Sequence, residues 1–353
     1  MDDRLEKIFL AMDAGNPPNE NSNIFGATIT DEDARLILIP VPWEVTVSYG
    51  GGTSMAPDKI MAASHFLDLT DVTFGLPYRA GIYMLPSDSK IKRLSDETRG
   101  IASQVITQIE RGVQSTDSCI DLVNEASGKM NEYVYDTAKT FIEKNRFVAV
   151  VGGDHSVPYG LIKAIAQHNV EGFGVLHFDA HHDLREKYEG FIFSHASIMY
   201  NVLNDIPQVK KLVSLGIRDY SLFEFKYAQM FGDRVYTCYS EEIFKRKASG
   251  ESFAAIVREI LSMLPQKVYL SFDIDVLEPE YCPGTGTPVP GGFSYQEAIY
   301  ILNEVALSGR KIIGFDLCEV SSAGSGQYDA NVGARILYKL CGSLITSQLG
   351  TIS

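Results

Sequence analysis

Six of the seven histidines lie between His155 and His195. Four short apolar runs end in groups that can bind cations or move protons. FVAVV leads into Gly152-Gly153-Asp154-His155-Ser156, and GVLHF into Asp179-Ala180-His181-His182-Asp183. VYLSF leads into Asp273-Ile274-Asp275, and KIIGF into Asp316-Leu317-Cys318-Glu319. Residues two apart on a strand share a face, so Asp179 and His181 are expected to point together, as are Asp273 and Asp275. Four carboxylates in one crevice repel one another unless cations neutralise them. Two divalent ions would balance Asp179, Asp183, Asp273 and Asp275, and His155 and His181 complete a set of six oxygen and imidazole ligands. No cysteine stands in a ligand position, which suits Mn²⁺, with Fe, Co, Ni or Zn as alternatives. Ions about 3.5–4 Å apart can polarise a substrate and generate a water-derived nucleophile at neutral pH.

These motifs need a scaffold that brings distant strand ends together. Strands are expected at Arg35–Val41, Gly81–Leu85, Phe147–Val151, Gly174–Phe178, Leu212–Ile217, Arg234–Thr237, Lys267–Phe272 and Lys311–Asp316. Helical periodicity lies between them, near 55–66, 97–112, 119–144, 158–168, 195–204, 252–263, 294–308 and 330–346. Several strands are continuous apolar runs, as in strands buried on both faces. The pattern predicts an α/β domain with three αβα layers and a mostly parallel eight-stranded sheet. Ligands of such sheets bind beyond the carboxyl ends of the strands, which is where the motifs fall. Residues 1–25 read as an N-terminal extension with a short helix and a polar run, Asn16–Asn23; residues 26–353 read as one domain.

The remaining composition narrows the function. The formal charge is −14 with pI ≈ 5.0, opposite to what a phosphate-backbone or anionic-membrane partner requires. Five cysteines, widely spaced and odd in number, fit a reducing compartment, and the opening residues lack a basic segment followed by an apolar core. A cytoplasmic location is the expectation. SYGGGT and PGTGTPVPGG are glycine-rich but lack phosphate-loop spacing, and read as tight turns shaping a site mouth.

The motifs together resemble the ureohydrolase family: arginases, agmatinases, guanidinobutyrases and formimidoylglutamases. GGDHS stands at 152–156, DAHHD at 179–183 matches the family's DAHxD, and SFDIDVLEPEYCPGTGTPVPGG at 271–292 matches its long third signature. The resemblance runs from VPWEVTVSYGGGTSMAPDKI near 41–60 to the final helices, and agrees with the fold above. It implies one cation held by His155, Asp179, Asp183 and Asp273, and a second by Asp179, His181, Asp273 and Asp275. It also implies a guanidinium clamp at Glu319, a proton shuttle at His195 in HASIM, proton transfer through Asp183 or Asp275, two Mn²⁺ per subunit, and a homotrimer or homohexamer.

Two departures argue against arginine as substrate. Ser221 follows Gly216-Ile217-Arg218-Asp219-Tyr220 where arginases place a second Asp, and the loop LREKYEGFIFS lacks their Asn and Thr residues. The VPWEVTVSYGGGT segment is more like agmatinases, so agmatine hydrolysis to putrescine and urea is the leading reading. Arg185 and Lys187 pull the other way, toward a carboxylate tail as in guanidinobutyrate or formiminoglutamate. Glu278 replaces the usual Asp of the D-P element. A single-zinc deacetylase of the same fold and an inactive binding subunit are the alternatives from other classes. His177 is expected to be a satisfied core histidine, and His182 to lie behind the ligands or at the surface.

Overall fold

The computed structural model describes residues 3–13, 18, 21–113, 117–321 and 327–352; half of the polar run Asn16–Asn23 therefore lies outside the described residues. Eight strands are present: β1 (Leu36–Val41), β2 (Ile82–Met84), β3 (Phe147–Gly152), β4 (Phe173–Phe178), β5 (Val209–Ile217), β6 (Val235–Tyr239), β7 (Lys267–Asp273) and β8 (Lys311–Cys318). They form one all-parallel sheet in the order β2-β1-β3-β8-β7-β4-β5-β6. The helices among the described residues are α1 (Asp3–Asp13), α2 (Ala56–Ser64), α3 (Ser89–Glu110), α4 (Asp117–Glu143), α5 (Tyr159–Gln167), α6 (Ile198–Asp205), α7 (Leu222–Met230), α8 (Ser240–Ala248), α9 (Phe253–Ser262), α10 (Tyr295–Leu307) and α11 (Tyr328–Leu349).

Strand alternation builds two cores, one on each face. Leu36 and Leu38 of β1 face a core formed with α2, α9, α10 and α11, while Ile37, Ile39 and Val41 face one formed with α3, α4, α5 and α6. The α-helix layers thus cover both faces, as the uninterrupted apolar strands require. The N-terminal helix lies on this body: Phe9 is buried, in edge contact with Tyr78, and Arg4 pairs with Asp33 at 3.0 Å.

The strand order has a chemical consequence. The four strands that end in the motifs, β3, β8, β7 and β4, are consecutive neighbours in the sheet centre. At roughly 4.8 Å between strands, their carboxyl ends lie within about 15 Å of one another.

Three elements differ from the sequence reading. Helix α3 begins at Ser89 rather than near 97, because Asp88 caps it by accepting from the Lys90 and Ile91 N–H groups. The run expected as a helix from His195 opens with one 3₁₀ turn, His195–Ser197, before α6. Helix α7 was not expected, since its apolar residues follow no single stripe: Leu222, Phe223 and Met230 are exposed. What starts α7 is a capping box in which Ser221 and Glu224 bond each other's backbone N–H.

The joint between β1 and β3 has no room for a side chain. A Cβ on Gly153 would stand 1.8 Å from the Trp43 carbonyl oxygen, whose position is fixed by its bond from Asp154 N at 3.0 Å. Gly153→Ala should therefore destabilise the fold by about 4 kcal/mol or more, beyond the ordinary range for a methyl group. Thermal unfolding followed through Trp43, the sole tryptophan and fully buried, measures this directly; an unchanged melting temperature would contradict the packing described.

Candidate metal and catalytic site

The six expected ligands do converge. His155 Nδ1 lies 3.0 Å from Asp179 Oδ2, 3.1 Å from Asp183 Oδ2 and 3.3 Å from Asp273 Oδ2. His181 Nδ1 lies 3.0 Å from Asp275 Oδ2 and 3.4 Å from Asp179 Oδ1. All are buried except His181, which is partly open to the cleft.

How they converge differs from the strand-face argument. Asp179 follows the end of β4, and Asp275 sits in a 3₁₀ turn after β7. Each motif instead folds its leading aspartate back onto the backbone two residues on: Asp179 Oδ1 accepts from His181 N at 2.6 Å, and Asp273 Oδ1 from Asp275 N at 2.8 Å. This is the local bond that aspartate offers in tight turns. It aims one oxygen at the backbone and leaves the other for the centre. The two motifs are tied together by Ala180 N, which donates to Asp275 Oδ1 at 2.9 Å.

Two of the candidate carboxylates sit on left-handed backbone, Asp183 at φ 54° and Glu319 at φ 60°. Side chains other than glycine's seldom adopt that conformation, and where they do the surroundings must hold it. The Asp183 carbonyl accepts from Met199 and Tyr200 N–H, both at 3.1 Å. Glu319 is fixed by its own N–H to the Gly153 carbonyl (2.8 Å) and by Thr285 Oγ1 donating to its carbonyl (2.8 Å). Its carboxylate Oε1 accepts from His155 N at 2.8 Å.

Electrostatics show what this arrangement lacks. Burial, then the like charges of Asp275 and Asp179, drive the Asp273 carboxyl well above its usual range. Burial and Asp179 push Asp183 up to about 6. Burial and Asp154 raise Glu319. Burial opposes protonation of His155 and His181, yet the surrounding carboxylates push both imidazoles well above their ordinary value. Buried like charges that can be quieted only by protons are suited to divalent cations. The donor atoms are carboxylate oxygen and imidazole nitrogen. The nearby Cys318 thiol is held protonated, chiefly by burial and by Asp316, so it offers no thiolate. The residues fit a two-cation site with hard or borderline ligands.

Beneath the ligands runs a row the sequence reading did not assemble. Register places Ser214, His177, Ser271 and Asp316 side by side on β5, β4, β7 and β8, all fully buried. His177 Nε2 lies 2.8 Å from Asp179 Oδ2, and its Nδ1 3.3 Å from Ser214 Oγ. His155 Nε2 lies 2.9 Å from Ser271 Oγ, which donates to Asp316 Oδ1 at 3.2 Å. His177 is thus the satisfied core histidine expected, but it also orients a candidate ligand. The signal available in sequence was a polar residue in the middle of each of these apolar strands. His182 is fully buried, not at the surface. Its Nε2 is 3.4 Å from Tyr239 OH, and burial lowers its pKa to about 4.

The cleft above the ligands has a volume of about 190 Å³. His195 enters it from the far wall, with Nδ1 3.2 Å from Thr46 Oγ1 and the ring edge-on to Tyr188. Burial, then His181 and Arg185, push its pKa down to about 3, so the imidazole is neutral. Arg185 does not stand free for a substrate carboxylate. Its Nε is 3.5 Å from the buried Glu224 carboxylate, and its guanidinium stacks 4.5 Å from the Tyr188 ring centre. Ser221 caps α7 rather than facing the cleft, and Glu278 accepts from Gly291 N at 3.1 Å, bracing the third motif's loop. Cys282 is a packing residue against Asp329, at 3.4 Å.

His177→Ala removes the donor to Asp179 and leaves Ser214 without its partner. Loss of such an outer contact typically weakens metal binding about 10–100-fold. Manganese titration of the variant should show that weakening, and unaltered affinity would deny His177 its orienting part.

Against known proteins, residues 34–342 match the model of the arginase family. An N(1)-aminopropylagmatine ureohydrolase of Thermus thermophilus is 27% identical over 323 residues, covering 90% of this chain and 94% of its own. An agmatinase of Bacillus subtilis is 28% identical over 320 residues, covering 88% and 91%. Among solved structures, the agmatine ureohydrolase of Thermoplasma volcanium superposes with a TM-score of 0.70 at 22% identity, covering 95% of this chain and 97% of its own. An arginase of Bacillus cereus gives 0.62 at 24%, covering 88% and 98%. Both share this chain's fold. With its three signatures and their side chains gathered at one sheet end, the chain belongs to the arginase family and is a ureohydrolase, a hydrolytic enzyme of guanidino groups.

Proposed function

We propose that this enzyme hydrolyses a guanidine carrying a cationic tail, with agmatine and its N-aminopropyl derivative as the leading substrates, and releases urea and an amine. The observation that carries the reading is the charge of the cleft. Asp183, Asp273 and Asp275 at its floor, Asp179 in the cluster directly beneath, and Asp219, Glu224 and Glu319 on its walls make seven carboxylates, against a single guanidinium at Arg185. Two divalent cations leave two negative charges, which a guanidinium and an ammonium together would neutralise. A substrate carboxylate would find Arg185 already engaged by Glu224. The relatives named as acting on agmatine or aminopropylagmatine support the same choice.

His155, Asp179, Asp183 and Asp273 would hold one cation, and Asp179, His181, Asp273 and Asp275 the other. Mn²⁺ is the first candidate for this donor set. When bound, the cations polarise the substrate and supply the water-derived nucleophile that a resonance-stabilised guanidinium carbon demands. Glu319, with Oε1 tied to the His155 N–H, offers Oε2 to the guanidinium. The buried carboxylate gains a counter-charge there, and the substrate plane is fixed by a charge-assisted contact. Collapse requires a proton on the departing nitrogen, which Asp183 or Asp275 delivers. His195, neutral and steadied by Thr46, relays protons between the cleft and solvent.

A urea-release assay with Mn²⁺ over agmatine, aminopropylagmatine, arginine, 4-guanidinobutyrate and formiminoglutamate tests the choice. The guanidines with cationic tails should exceed the carboxylate-bearing ones in kcat/KM by at least about tenfold, the effect of one misplaced charge of roughly 1.4 kcal/mol. A preference for arginine or 4-guanidinobutyrate would overturn it. Glu319→Gln should lower kcat/KM on the best substrate by roughly 10²–10³, as removing one preorganised electrostatic contact does.

A further inference from the structure

The geometry assigns to Arg218 the part of a positioning residue for one of the two cations, that of His181 and Asp275. This inference rests on the two-cation reading above. Arg218 lies just past β5, outside the ligand set, and its guanidinium is spent wholly on backbone. Nη2 lies 2.6 Å from the Asp275 carbonyl oxygen, 2.7 Å from that of Val289 and 3.2 Å from that of Leu277. Nε donates to Val289 O at 3.0 Å, and Nη1 to Gly216 O at 3.0 Å. Four carbonyls from three separate segments therefore converge on one planar fork, a task that arginine's fixed set of donors can perform and a lysine ammonium can perform only in part.

The main chain of the same residue closes a circuit around the ligands. Arg218 N donates to the Ala180 carbonyl at 2.8 Å. Ala180 N donates to Asp275 Oδ1 at 2.9 Å. The Arg218 guanidinium in turn holds the Asp275 carbonyl. The turn carrying Asp179 and His181 and the turn carrying Asp273 and Asp275 are thus fixed relative to each other through Arg218. Gly216, at φ 92°, adds to the joint: a Cβ there would come within 2.9 Å of the Asp179 carbonyl oxygen. The other half of the site is braced elsewhere, His155 by Ser271 and Asp316, and Asp183 by the Met199 and Tyr200 N–H groups. The asymmetry makes the role specific. Removing the fork frees the carbonyl of Asp275 and leaves the supports of His155 and Asp183 in place.

The test is metal binding by the whole protein. Wild type, Arg218→Met and Arg218→Lys are stripped with chelator, then titrated with Mn²⁺ by calorimetry and by electron paramagnetic resonance. Wild type should take two ions per chain and show the spin-coupled spectrum of a close pair. Arg218→Met should keep one ion at near wild-type affinity and bind the second at least about tenfold more weakly, with an uncoupled spectrum at intermediate Mn²⁺. Arg218→Lys, which retains the charge and part of the donor set, should fall between them, and it carries the test if the methionine variant does not fold. Arg310→Met is the control for lost arginine–carbonyl packing, since the Arg310 guanidinium bonds the Leu264 carbonyl through Nε and Nη2 and lies away from the candidate ligands; it should leave both ions in place. Two tight ions in a folded Arg218 variant, or equal weakening of both, would overturn the assignment. Fewer than two ions in wild type would instead overturn the two-cation reading on which it stands.

Discussion

Carboxylates repel, and a buried crevice that gathers four of them must be held shut by the rest of the molecule. In this chain the four stand at or just beyond the ends of β4 and β7, neighbours at the centre of the parallel sheet, with His155 and Glu319 brought beside them from β3 and β8. Two hydrophobic cores, one on each face of the sheet, supply the free energy that keeps the strand ends together when no cation is bound. Divalent cations would offset the cost of that crowding, which is why this donor set suits them.

Three kinds of support make the crowding tolerable. Aspartates fold back on the N–H two residues ahead, which fixes one carboxylate oxygen and frees the other. A polar row at a single level of the sheet, from Ser214 to Asp316, fixes the imidazoles of His155 and His177 from below. Backbone in the left-handed region presents Asp183 and Glu319, and each strained residue is tied down by hydrogen bonds from another segment. Together they set which way Asp179, Asp273, His155, Asp183 and Glu319 point.

The same logic separates the floor of the cleft from its wall. The floor is fixed by bonds among motif residues. The wall is built by α7 and by the 184–194 loop, joined through Glu224, which caps α7, accepts from Leu184 N and neutralises Arg185. Arg185 looks in sequence like a receptor for a carboxylate; in the fold it is half of an ion pair leaning on Tyr188.

The sequence by itself determined the parts that depend on local pattern. Apolar runs of strand length, broken by turns and alternating with helical periods, are enough for a parallel α/β sheet. DAHHD, DID and GGDHS name the candidate ligands, because their side chains and spacing are written in contiguous residues. Elements whose cause is also local but carries no apolar stripe, such as α7 with its capping box, escaped that reading. Only the tertiary structure decided what depends on residues far apart: that β3, β8, β7 and β4 are neighbours, that His177 serves Asp179, that Arg185 is already paired, and that Arg218 joins two motifs through four carbonyls. Hydrogen bonds to backbone carbonyls leave no mark in residue type, and pairing between distant strands is selected by packing of the whole core, so neither can be read along the chain.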